Sequence, residues 1–316
     1  MLDAEGRRIE YLRLSVTERC TLKCAYCRAD EGLCPKQREL DAAGLMRIVR
    51  ALAGLGVTKV RLTGGEPLLR RDIEEIARGI RACPGITEIA MTTNAQALPG
   101  RAKALKAAGV DRLNISIDSL KADRYREMTG GGDLAAVRAG IRDALDAGLT
   151  PLKLNAVVMR GKNDDEVDDF IALTKNMPID MRFIELMPMG TVDHTAERVT
   201  ADELLAERPY LVPVAPRYRS QPSSDYRVEG YVGRVGFISP MSHKFCGDCN
   251  RVRVMSDGML RPCLGDNTET DLKPALAQAD DALLIDTIRD AIWRKPKTHG
   301  FDGAFHTGRD MSRIGG

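Results

Sequence analysis

The fold class follows from residues 59–92, whose sequence is KVRLTGGEPLLRRDIEEIARGIRACPGITEIAMT. The two ends of this segment, 59–63 and 86–92, are rich in apolar and β-branched residues, which predicts two strands. Between them, apolar residues recur at helical spacing, which predicts a helix over 72–82. A strand, a helix and a second strand with short connections form a parallel unit with a right-handed crossover. The segment therefore predicts an α/β fold.

The same alternation of strand and helix runs through the first 190 residues. Further strands are predicted over 11–16, 112–117, 152–158 and 181–186, and further helices over 45–52, 101–108, 134–145 and 165–176. The six units indicate a parallel sheet, and the alternation alone allows an open doubly wound sheet or a barrel. A complete barrel of the triosephosphate-isomerase type has eight such units. We therefore predict a partial (β/α)6 triosephosphate-isomerase-like barrel over residues 1–190.

The alternation stops near residue 190. Residues 209–219 and 230–238 carry proline, glycine and β-forming residues, and a cysteine-rich loop and a helix near 283–293 follow them. We therefore expect residues 191–316 to form a smaller C-terminal region that packs on the barrel and carries the cysteine-rich loop.

The composition narrows the possible functions. Of the 316 residues 43% are apolar, which is enough for a full core, and a net charge of +2 gives no bulk electrostatic basis for binding nucleic acid or a membrane. No apolar run approaches the roughly 20 residues that span a bilayer, and residues 1–10 lack the apolar core of a signal peptide. We therefore expect a cytoplasmic protein. In that reducing compartment, those of its eight cysteines that cluster at short fixed spacings indicate metal ligands rather than disulfides.

Three cysteines, Cys20, Cys24 and Cys27, follow the first predicted strand with the spacing C-x3-C-x2-C. Thiolates ligate iron–sulfur clusters, and three of them leave one iron of a four-iron cluster open for a bound molecule. Structural zinc sites use four protein ligands, and the nearest further thiol, Cys34, lies seven residues beyond Cys27. The spacing favours an iron–sulfur cluster over the alternatives, a zinc knuckle or free thiols.

A second triplet, Cys246, Cys249 and Cys263, has the spacing C-x2-C-x13-C. Its three thiols again leave an open iron, which suits the binding of part of a substrate. His243 offers an alternative, because it completes the pattern H-x2-C-x2-C-x13-C of a zinc site.

Two arginines, Arg251 and Arg253, stand directly after Cys249-Asn250. Alternate positions of an extended segment place both guanidinium groups on one side of the chain. Guanidinium groups bind phosphate through paired hydrogen bonds, so these arginines are candidates for a phosphate site beside the second triplet. Alternatively, Arg251 and Arg253 are a pair of solvent-exposed surface residues without a ligand.

Several motifs resemble those of radical S-adenosylmethionine enzymes. The first triplet stands in Cys20-Thr-Leu-Lys-Cys24-Ala-Tyr-Cys27, and Gly64-Gly65-Glu66-Pro67 follows the second strand. Nearly end to end, the chain resembles the GTP 3′,8-cyclase family, also called the molybdenum cofactor biosynthesis protein A family. The further motifs that carry this resemblance are Arg13-Leu-Ser-Val-Thr, Met91-Thr-Thr-Asn, Asn114-Ile-Ser-Ile-Asp, Arg182-Phe-Ile-Glu-Leu-Met, Phe245-Cys-Gly-Asp-Cys-Asn-Arg-Val-Arg and the terminal Gly-Gly.

The resemblance implies an activity and its cofactors. It implies a lyase with two 4Fe-4S clusters that cleaves S-adenosylmethionine at the first cluster. The reaction implied is abstraction of hydrogen from C3′ of GTP and cyclisation at C8, which gives 3′,8-cyclo-7,8-dihydro-GTP and begins molybdenum cofactor biosynthesis. The resemblance also leads us to expect a homodimer and a downstream cyclic pyranopterin monophosphate synthase as partner.

The resemblance also implies roles for individual residues. The iron ligands would be Cys20, Cys24, Cys27, Cys246, Cys249 and Cys263, and the catalytic set would be the first three of these with Arg251 and Arg253. S-adenosylmethionine would contact Tyr26, Gly65, Ser116 and Met187. GTP would contact Arg13, Arg61, Thr92, Lys153, Arg251 and Arg253.

Two other interpretations compete with this one. The first is a radical enzyme of the peptide-modifying or sulfatase-maturing kind, although these usually carry longer and more cysteine-rich C-terminal regions. The second is a zinc-binding or electron-transfer scaffold, which the Gly-Gly-Glu-Pro motif disfavours. We interpret Cys83 as a packing residue and Cys34 as a loop thiol. His306 and the terminal pair Gly315-Gly316 have roles only if the tail reaches the active site.

Overall fold

The structure, a computed structural model, describes residues 1–27, 39–189, 195–301 and 307–315. Cys34, His194, His306 and Gly316 lie outside these ranges. Within the ranges, no disulfide joins any two cysteines. None of the helices found there combines the length and the apolar character needed to cross a membrane.

Twelve strands in the described ranges form one sheet. They are β1 (Tyr11–Ser15), β2 (Lys59–Thr63), β3 (Glu88–Thr93), β4 (Arg112–Ser116), β5 (Leu152–Val158), β6 (Ile179–Glu185), β7 (Val212–Val214), β8 (Ser224–Arg227), β9 (Arg234–Ile238), β10 (Arg251–Val254), β11 (Met259–Arg261) and β12 (Thr270–Asp271). Their order across the sheet is β12-β11-β10-β1-β2-β3-β4-β5-β6-β9-β8-β7. The strands from β10 to β9 run parallel, and the outer strands at both edges pair antiparallel.

The connections contain ten α-helices within the described ranges. They are α1 (Ala42–Gly54), α2 (Ile73–Arg81), α3 (Ala102–Ala107), α4 (Ala122–Thr129), α5 (Leu134–Asp146), α6 (Val167–Ala172), α7 (Ala201–Ala206), α8 (Lys273–Leu276), α9 (Ala282–Trp293) and α10 (Met311–Ile314). Helix α2 shows why they form, since Ile73, Ile76 and Ile80 make one buried stripe. Its first turn carries Glu74 and Glu75, which complement the helix dipole.

The parallel strands place apolar side chains outward, under the helices, and polar side chains inward. On β1, Leu12 and Leu14 are fully buried, while Tyr11 and Arg13 face the interior of the curved sheet. This alternation leaves a polar interior at the carboxyl ends of the strands, where parallel barrels hold their active sites. The predicted α/β fold with a partial barrel is confirmed.

Within the first 190 residues, two helices differ most from the predictions. Helix α4 was not predicted, because its sequence ADRYREMT is mostly polar and only Tyr125, Met128 and Thr129 are buried. Helix α6 is shorter than the predicted 165–176, since residues 164–166 form a 3₁₀ turn and the helix ends at Ala172.

The C-terminal strands join the same sheet as the barrel strands. Strand β10 pairs in parallel with β1, and β9 pairs in parallel with β6. The sheet therefore continues beyond the six predicted strands on both sides, and the second cysteine triplet, next to β10, reaches the interior surface.

Candidate active site

The curved sheet encloses a chamber of about 330 Å³ at its carboxyl edge. Residues from both cysteine triplets line this chamber: Cys20, Cys24, Cys27, Cys246, Cys249 and Cys263. The predicted ligand contacts line it as well: Arg13, Tyr26, Arg61, Gly65, Thr92, Ser116, Met187, Arg251 and Arg253. Two triplets far apart in sequence therefore face one cavity.

The first cysteine loop, residues 20–27, docks on the C-terminal end of α4. The backbone N–H of Lys23 donates to the carbonyl of Thr129 at 2.9 Å, and that of Ala25 donates to the carbonyl of Met128 at 3.2 Å. The last carbonyls of a helix have no partner within the helix, so this loop satisfies two of them. A helix with a weak sequence signal thus holds the first triplet in place.

Two N–H groups point at the sulfur of Cys20. The side-chain amide of Asn94 lies 3.5 Å from this sulfur and also donates to the hydroxyl of Thr21 at 3.1 Å. The backbone N–H of Leu22 lies 3.4 Å from the same sulfur. Such donors favour a negatively charged thiolate, which is the form that ligates iron.

The Gly-Gly-Glu-Pro turn packs against the chain just before the first cysteine loop. The N–H of Gly65 donates to the carbonyl of Thr17 at 2.8 Å, and that of Glu66 donates to the carbonyl of Arg19 at 2.7 Å. A Cβ atom at Gly65 would lie 2.4 Å from the Arg19 oxygen, a distance that no side chain tolerates. The close approach of the two backbones therefore requires glycine.

The carboxylate of Glu66 joins this turn to the end of β3. It accepts hydrogen bonds from the N–H of Leu68 at 3.0 Å, the hydroxyl of Thr93 at 2.8 Å and the N–H of Asn94 at 2.7 Å. Burial raises the pKa of Glu66 to about 6. The sequence indicated Glu66 only as a member of the Gly-Gly-Glu-Pro motif, whereas the structure shows that its carboxylate organises the turn.

Tyr26 is fixed by a buried carboxylate beyond β4. Its hydroxyl donates to Asp118 at 2.7 Å, and the other oxygen of Asp118 accepts the N–H of Val157 at 3.0 Å. Burial raises the pKa of Asp118 to about 6. Asp118 is a further residue that the sequence interpretation missed, although it ends the quoted 114–118 motif.

The second triplet lies next to positively charged side chains, including Arg251 and Lys295. Arg251 lies 3.5 Å from the sulfur of Cys249, and its guanidinium stacks on the ring of Phe245 with 4.8 Å to the centroid. Burial by itself would raise the pKa of Cys249, but the positive charges of Arg251 and Lys295 outweigh it and lower the pKa to about 6. This environment favours the thiolate form.

The zinc alternative for the second triplet needs His243 as its fourth ligand. Among the described residues, no group of three or more His, Cys, Asp or Glu side chains converges tightly enough for one metal ion. Each thiolate of a four-iron cluster ligates a different iron, so the thiols of such a site stand apart. His243, the fourth ligand of the zinc alternative, instead pairs with Asp202 at 2.9 Å.

Five arginines make the chamber strongly positive. Four were predicted: Arg13, Arg61, Arg251 and Arg253. The fifth, Arg182, was missed, although it precedes Ile184 on the inward face of β6. Burial lowers the pKa of Arg182 and of Arg253 to about 10, and neighbouring arginines add to the shift. Arg182 and Arg253 therefore remain charged at neutral pH. A cluster of five arginines around one cavity suits a polyanion.

Five residues that line the chamber carry a buried polar atom with no hydrogen-bond partner among the described residues: Tyr11, Arg61, Thr63, Thr92 and Glu185. Two of these atoms, the Nε of Arg61 and the hydroxyl of Thr92, belong to predicted GTP contacts. Buried polar groups in proteins are nearly always paired, so unpaired ones that line a cavity are candidate ligand contacts.

Lys153 differs from the other predicted residues because it does not line the chamber. It is buried deeper in the barrel on β5, and its ammonium lies 3.9 Å from Asp180. Burial lowers the pKa of Lys153 to about 7, and the nearby Arg182 and Arg112 contribute to the shift.

The described end of the tail enters the chamber region. The carbonyl of Gly315 accepts hydrogen bonds from Arg253 at 2.8 Å and Arg13 at 3.3 Å, and Met311 and Ser312 line the cavity. A Cβ atom at Gly315 would lie 2.5 Å from the Thr63 hydroxyl, and its φ is +80°. Glycine is therefore required where the tail meets β2.

Comparisons with known proteins agree with this geometry. Residues 14–174 match the Radical SAM superfamily, and residues 179–301 match the family Molybdenum Cofactor Synthesis C. The GTP 3′,8-cyclase of Alkaliphilus oremlandii (strain OhILAs) is 46% identical over 322 residues, and that of Pelotomaculum thermopropionicum (strain DSM 13744 / JCM 10971 / SI) is 47% identical over 325 residues. Both alignments cover 100% of each chain.

A solved structure shares the fold. Streptococcus suis SuiB bound to S-adenosylmethionine superposes with a TM-score of 0.60 at 16% identity, over 90% of this chain and 67% of that chain. Identity this low supports the fold alone.

Proposed function

The chain belongs to the GTP 3′,8-cyclase family of radical S-adenosylmethionine enzymes. We propose which residues of its chamber bind the two clusters, which contact S-adenosylmethionine and which contact GTP. Members of this family carry two 4Fe-4S clusters and use S-adenosylmethionine. The chain converts GTP to 3′,8-cyclo-7,8-dihydro-GTP, the first step of molybdenum cofactor biosynthesis. The hydrogen atom of C3′ passes to the 5′-deoxyadenosyl group derived from S-adenosylmethionine, and C3′ bonds to C8 of the guanine. One electron from a reductant and one proton then complete the 7,8-dihydro product.

Cys20, Cys24 and Cys27 are the proposed ligands of the first cluster. A four-iron cluster held there would supply the electron for reductive cleavage of S-adenosylmethionine. The N–H groups of Asn94 and Leu22 hold negative charge on Cys20. The α4 carbonyls fix the orientation of the loop.

Four residues in the chamber are the proposed contacts of S-adenosylmethionine: Tyr26, Gly65, Ser116 and Met187. The turn at Gly65 presents backbone groups next to the first cysteine loop, because it is hydrogen-bonded to Thr17 and supported by the Glu66 carboxylate. Asp118 holds the ring of Tyr26 at the edge of the chamber. These contacts favour one orientation of the cofactor.

The other side of the chamber is the proposed GTP site. Arg13, Arg61 and Thr92 face it from the barrel strands, and Arg251 and Arg253 face it from β10. The open Nε of Arg61 and hydroxyl of Thr92 are available for phosphate oxygens. Cys246, Cys249 and Cys263 are the proposed ligands of a second cluster, whose open iron would hold the base.

The observation that carries this proposal is that both cysteine triplets line the same chamber. Radical transfer requires the ribose carbon and the 5′ carbon to lie within a few ångström of each other. A substrate held by the second triplet and by the arginines therefore lies beside a cofactor held by the first triplet.

Some features of the organisation are also proposed. We propose a homodimer, a cytoplasmic location and delivery of the product to a cyclic pyranopterin monophosphate synthase. We also propose a division at residue 190 into a barrel and a smaller cluster-binding region. The separate matches of 14–174 and 179–301 support this division.

The proposed division of roles can be tested with two triple variants purified without oxygen. Cys20, Cys24 and Cys27 are changed to alanine in one, and Cys246, Cys249 and Cys263 in the other. Each is assayed with dithionite, S-adenosylmethionine and GTP or ATP, and iron, 5′-deoxyadenosine and nucleotide products are quantified. Cys83→Ala, a buried cysteine outside the chamber, is the control.

We expect about eight irons per chain in the wild type and the control, and about four in each triple variant. The first variant should form no 5′-deoxyadenosine, whereas the second should form it without cyclised GTP. Cyclised GTP from the second variant, or equal turnover of ATP by the wild type, would contradict the proposed roles.

A further inference from the structure

Several buried cations beside the second triplet belong neither to the ligand set nor to the five chamber arginines, and two of them together contact all three segments of the triplet. They are Arg7, which is 8% exposed, and Lys295, which is 4% exposed. Burying a charge is costly unless it is hydrogen-bonded, so two such cations at one place require a reason.

Arg7 binds the segment of Cys246. Its guanidinium donates to the carbonyl of Cys246 at 3.0 Å, and also to the carbonyls of Pro296 at 2.8 Å and Lys297 at 3.1 Å. The buried carboxylate of Asp3 orients it, at 2.7 Å from the Arg7 Nε. Arg7 thus ties the first cysteine of the triplet to the chain just after α9.

Lys295 binds the segments of the other two cysteines. Its ammonium donates to the carbonyl of Arg251, two residues after Cys249, at 2.8 Å. It also donates to the carbonyl of Pro262, which directly precedes Cys263, at 2.5 Å. One ammonium therefore bridges two loops that contribute different sulfurs to the chamber.

The charge of Lys295 acts on these sulfurs as well. Its ammonium is only 4% exposed and lies against the carbonyls of Arg251 and Pro262, so little water screens its charge from the neighbouring cysteine loops. A positive charge held this close stabilises the more negative, reduced state of an iron–sulfur cluster.

We propose that Lys295 is a positioning residue for the second cluster. Its ammonium fixes the spacing between the Cys249 and Cys263 loops and raises the reduction potential of the cluster that they hold, while Arg7 anchors the Cys246 loop. This inference rests on the proposed assignment of Cys246, Cys249 and Cys263 as ligands. It adds two residues that contact neither S-adenosylmethionine nor GTP in the proposed roles.

The test uses the full chain with Cys20, Cys24 and Cys27 changed to alanine, so that one cluster per chain remains. Lys295→Met removes the charge and the hydrogen bonds, and Lys295→Arg keeps a cation. Lys297→Met, an exposed lysine two residues further on, is the matched control. The readouts are the midpoint potential of the cluster and the rate at which a chelator removes its iron.

With Lys295→Met we expect a more negative potential and iron loss about 10- to 100-fold faster than in the parent. Lys295→Arg should retain the potential of the parent, and Lys297→Met should match the parent in both readouts. If Lys295→Met leaves both readouts unchanged, the inference is wrong. If Lys295→Met holds no iron, recovery of a cluster at the parental potential in Lys295→Arg supports the inference, and failure of that variant overturns it.

The same experiment distinguishes an error in the ligand assignment from an error in the role of Lys295. A parent variant that binds no cluster would show that Cys246, Cys249 and Cys263 are not the ligands, and the role of Lys295 would fall with that assignment. A parent that holds its cluster but is indifferent to Lys295 would overturn only the inference made here.

Discussion

At the scale of single residues, the buried position of Lys153 makes it the most informative predicted GTP contact. Burial lowers its pKa to about 7, so in the free enzyme its ammonium is partly neutral at physiological pH. A triphosphate favours the charged form. If Lys153 contacts GTP, binding at a pH above about 7 must also take up a proton.

We therefore predict that GTP affinity falls as the pH rises from 6 to 8.5, by up to about tenfold per pH unit above the pKa. Lys153→Arg stays charged throughout this range and should lose that part of the slope. The dissociation constant of GTP, measured at equilibrium across this pH range for both proteins, gives the two slopes. The ionisation of GTP affects both proteins equally and therefore cancels when the slopes are compared. Identical slopes in the two proteins would show that Lys153 does not contact the triphosphate.

Glu66 gives a second prediction at this scale. Its carboxylate accepts three hydrogen bonds and is fully buried. In Glu66→Gln an amide N–H₂ replaces one acceptor oxygen and faces a donor, so we expect a loss of about 1–3 kcal/mol in the free energy of unfolding. Anaerobic urea unfolding measures this loss.

Glu229→Gln, an exposed change in a turn outside the helices, is the control for Glu66 and should alter stability little. Binding of S-adenosylmethionine should weaken only in Glu66→Gln, because the turn at Gly65 depends on that carboxylate. Equal stability of the two variants would mean that the three hydrogen bonds do not organise the turn.

At the scale of elements, the junction between α4 and the first cysteine loop is the sharpest test of how the loop is held. Gly130 ends α4 with a φ of +64°, and a Cβ atom there would lie 2.8 Å from the Lys23 carbonyl. Gly148 has a similar φ of +70° with open space around it.

Gly148→Ala should therefore lose only the cost of the left-handed backbone, roughly 1–2 kcal/mol of unfolding free energy. Gly130→Ala should lose more and should also displace the first cysteine loop. We expect it to retain fewer irons than Gly148→Ala after anaerobic gel filtration, with the deficit confined to the first cluster. Equal iron content in the two variants would contradict the docking of the loop on α4.

Helices and strands with a regular spacing of apolar residues could be predicted from the sequence. Elements that are stabilised mainly by contacts with distant segments could not. The β2–α2–β3 unit matched closely, because the buried stripe of α2 has a clear helical period. The sequence of α4 has almost no apolar stripe, since what stabilises that helix is its contact with the loop that it holds. Similarly, Arg7 and Lys295 have no motif, because they act through the carbonyls of distant residues.

At the scale of the whole molecule, the pairing of the C-terminal strands determines whether the chamber exists. Local pattern placed β9 and β10 in a separate region, but it could not show that they pair with β6 and β1, because such pairing joins segments far apart in the chain. The chamber takes its arginines and cysteines from both sides of residue 190. The active site is therefore a property of the complete sheet.

This dependence predicts that residues 1–190 do not fold alone. Without β9 and β10, the parallel strands β6 and β1 become exposed edges whose N–H and C=O groups lose their partners. Parallel sheets are stable when both their faces and their neighbours are covered, so we expect the fragment to aggregate or to unfold without a cooperative thermal transition. A chain that ends at residue 306 removes only the tail and should keep such a transition. Calorimetry of the two chains makes the comparison, and a monomeric 1–190 fragment with a sharp transition and a bound cluster would instead establish the barrel as an independent domain.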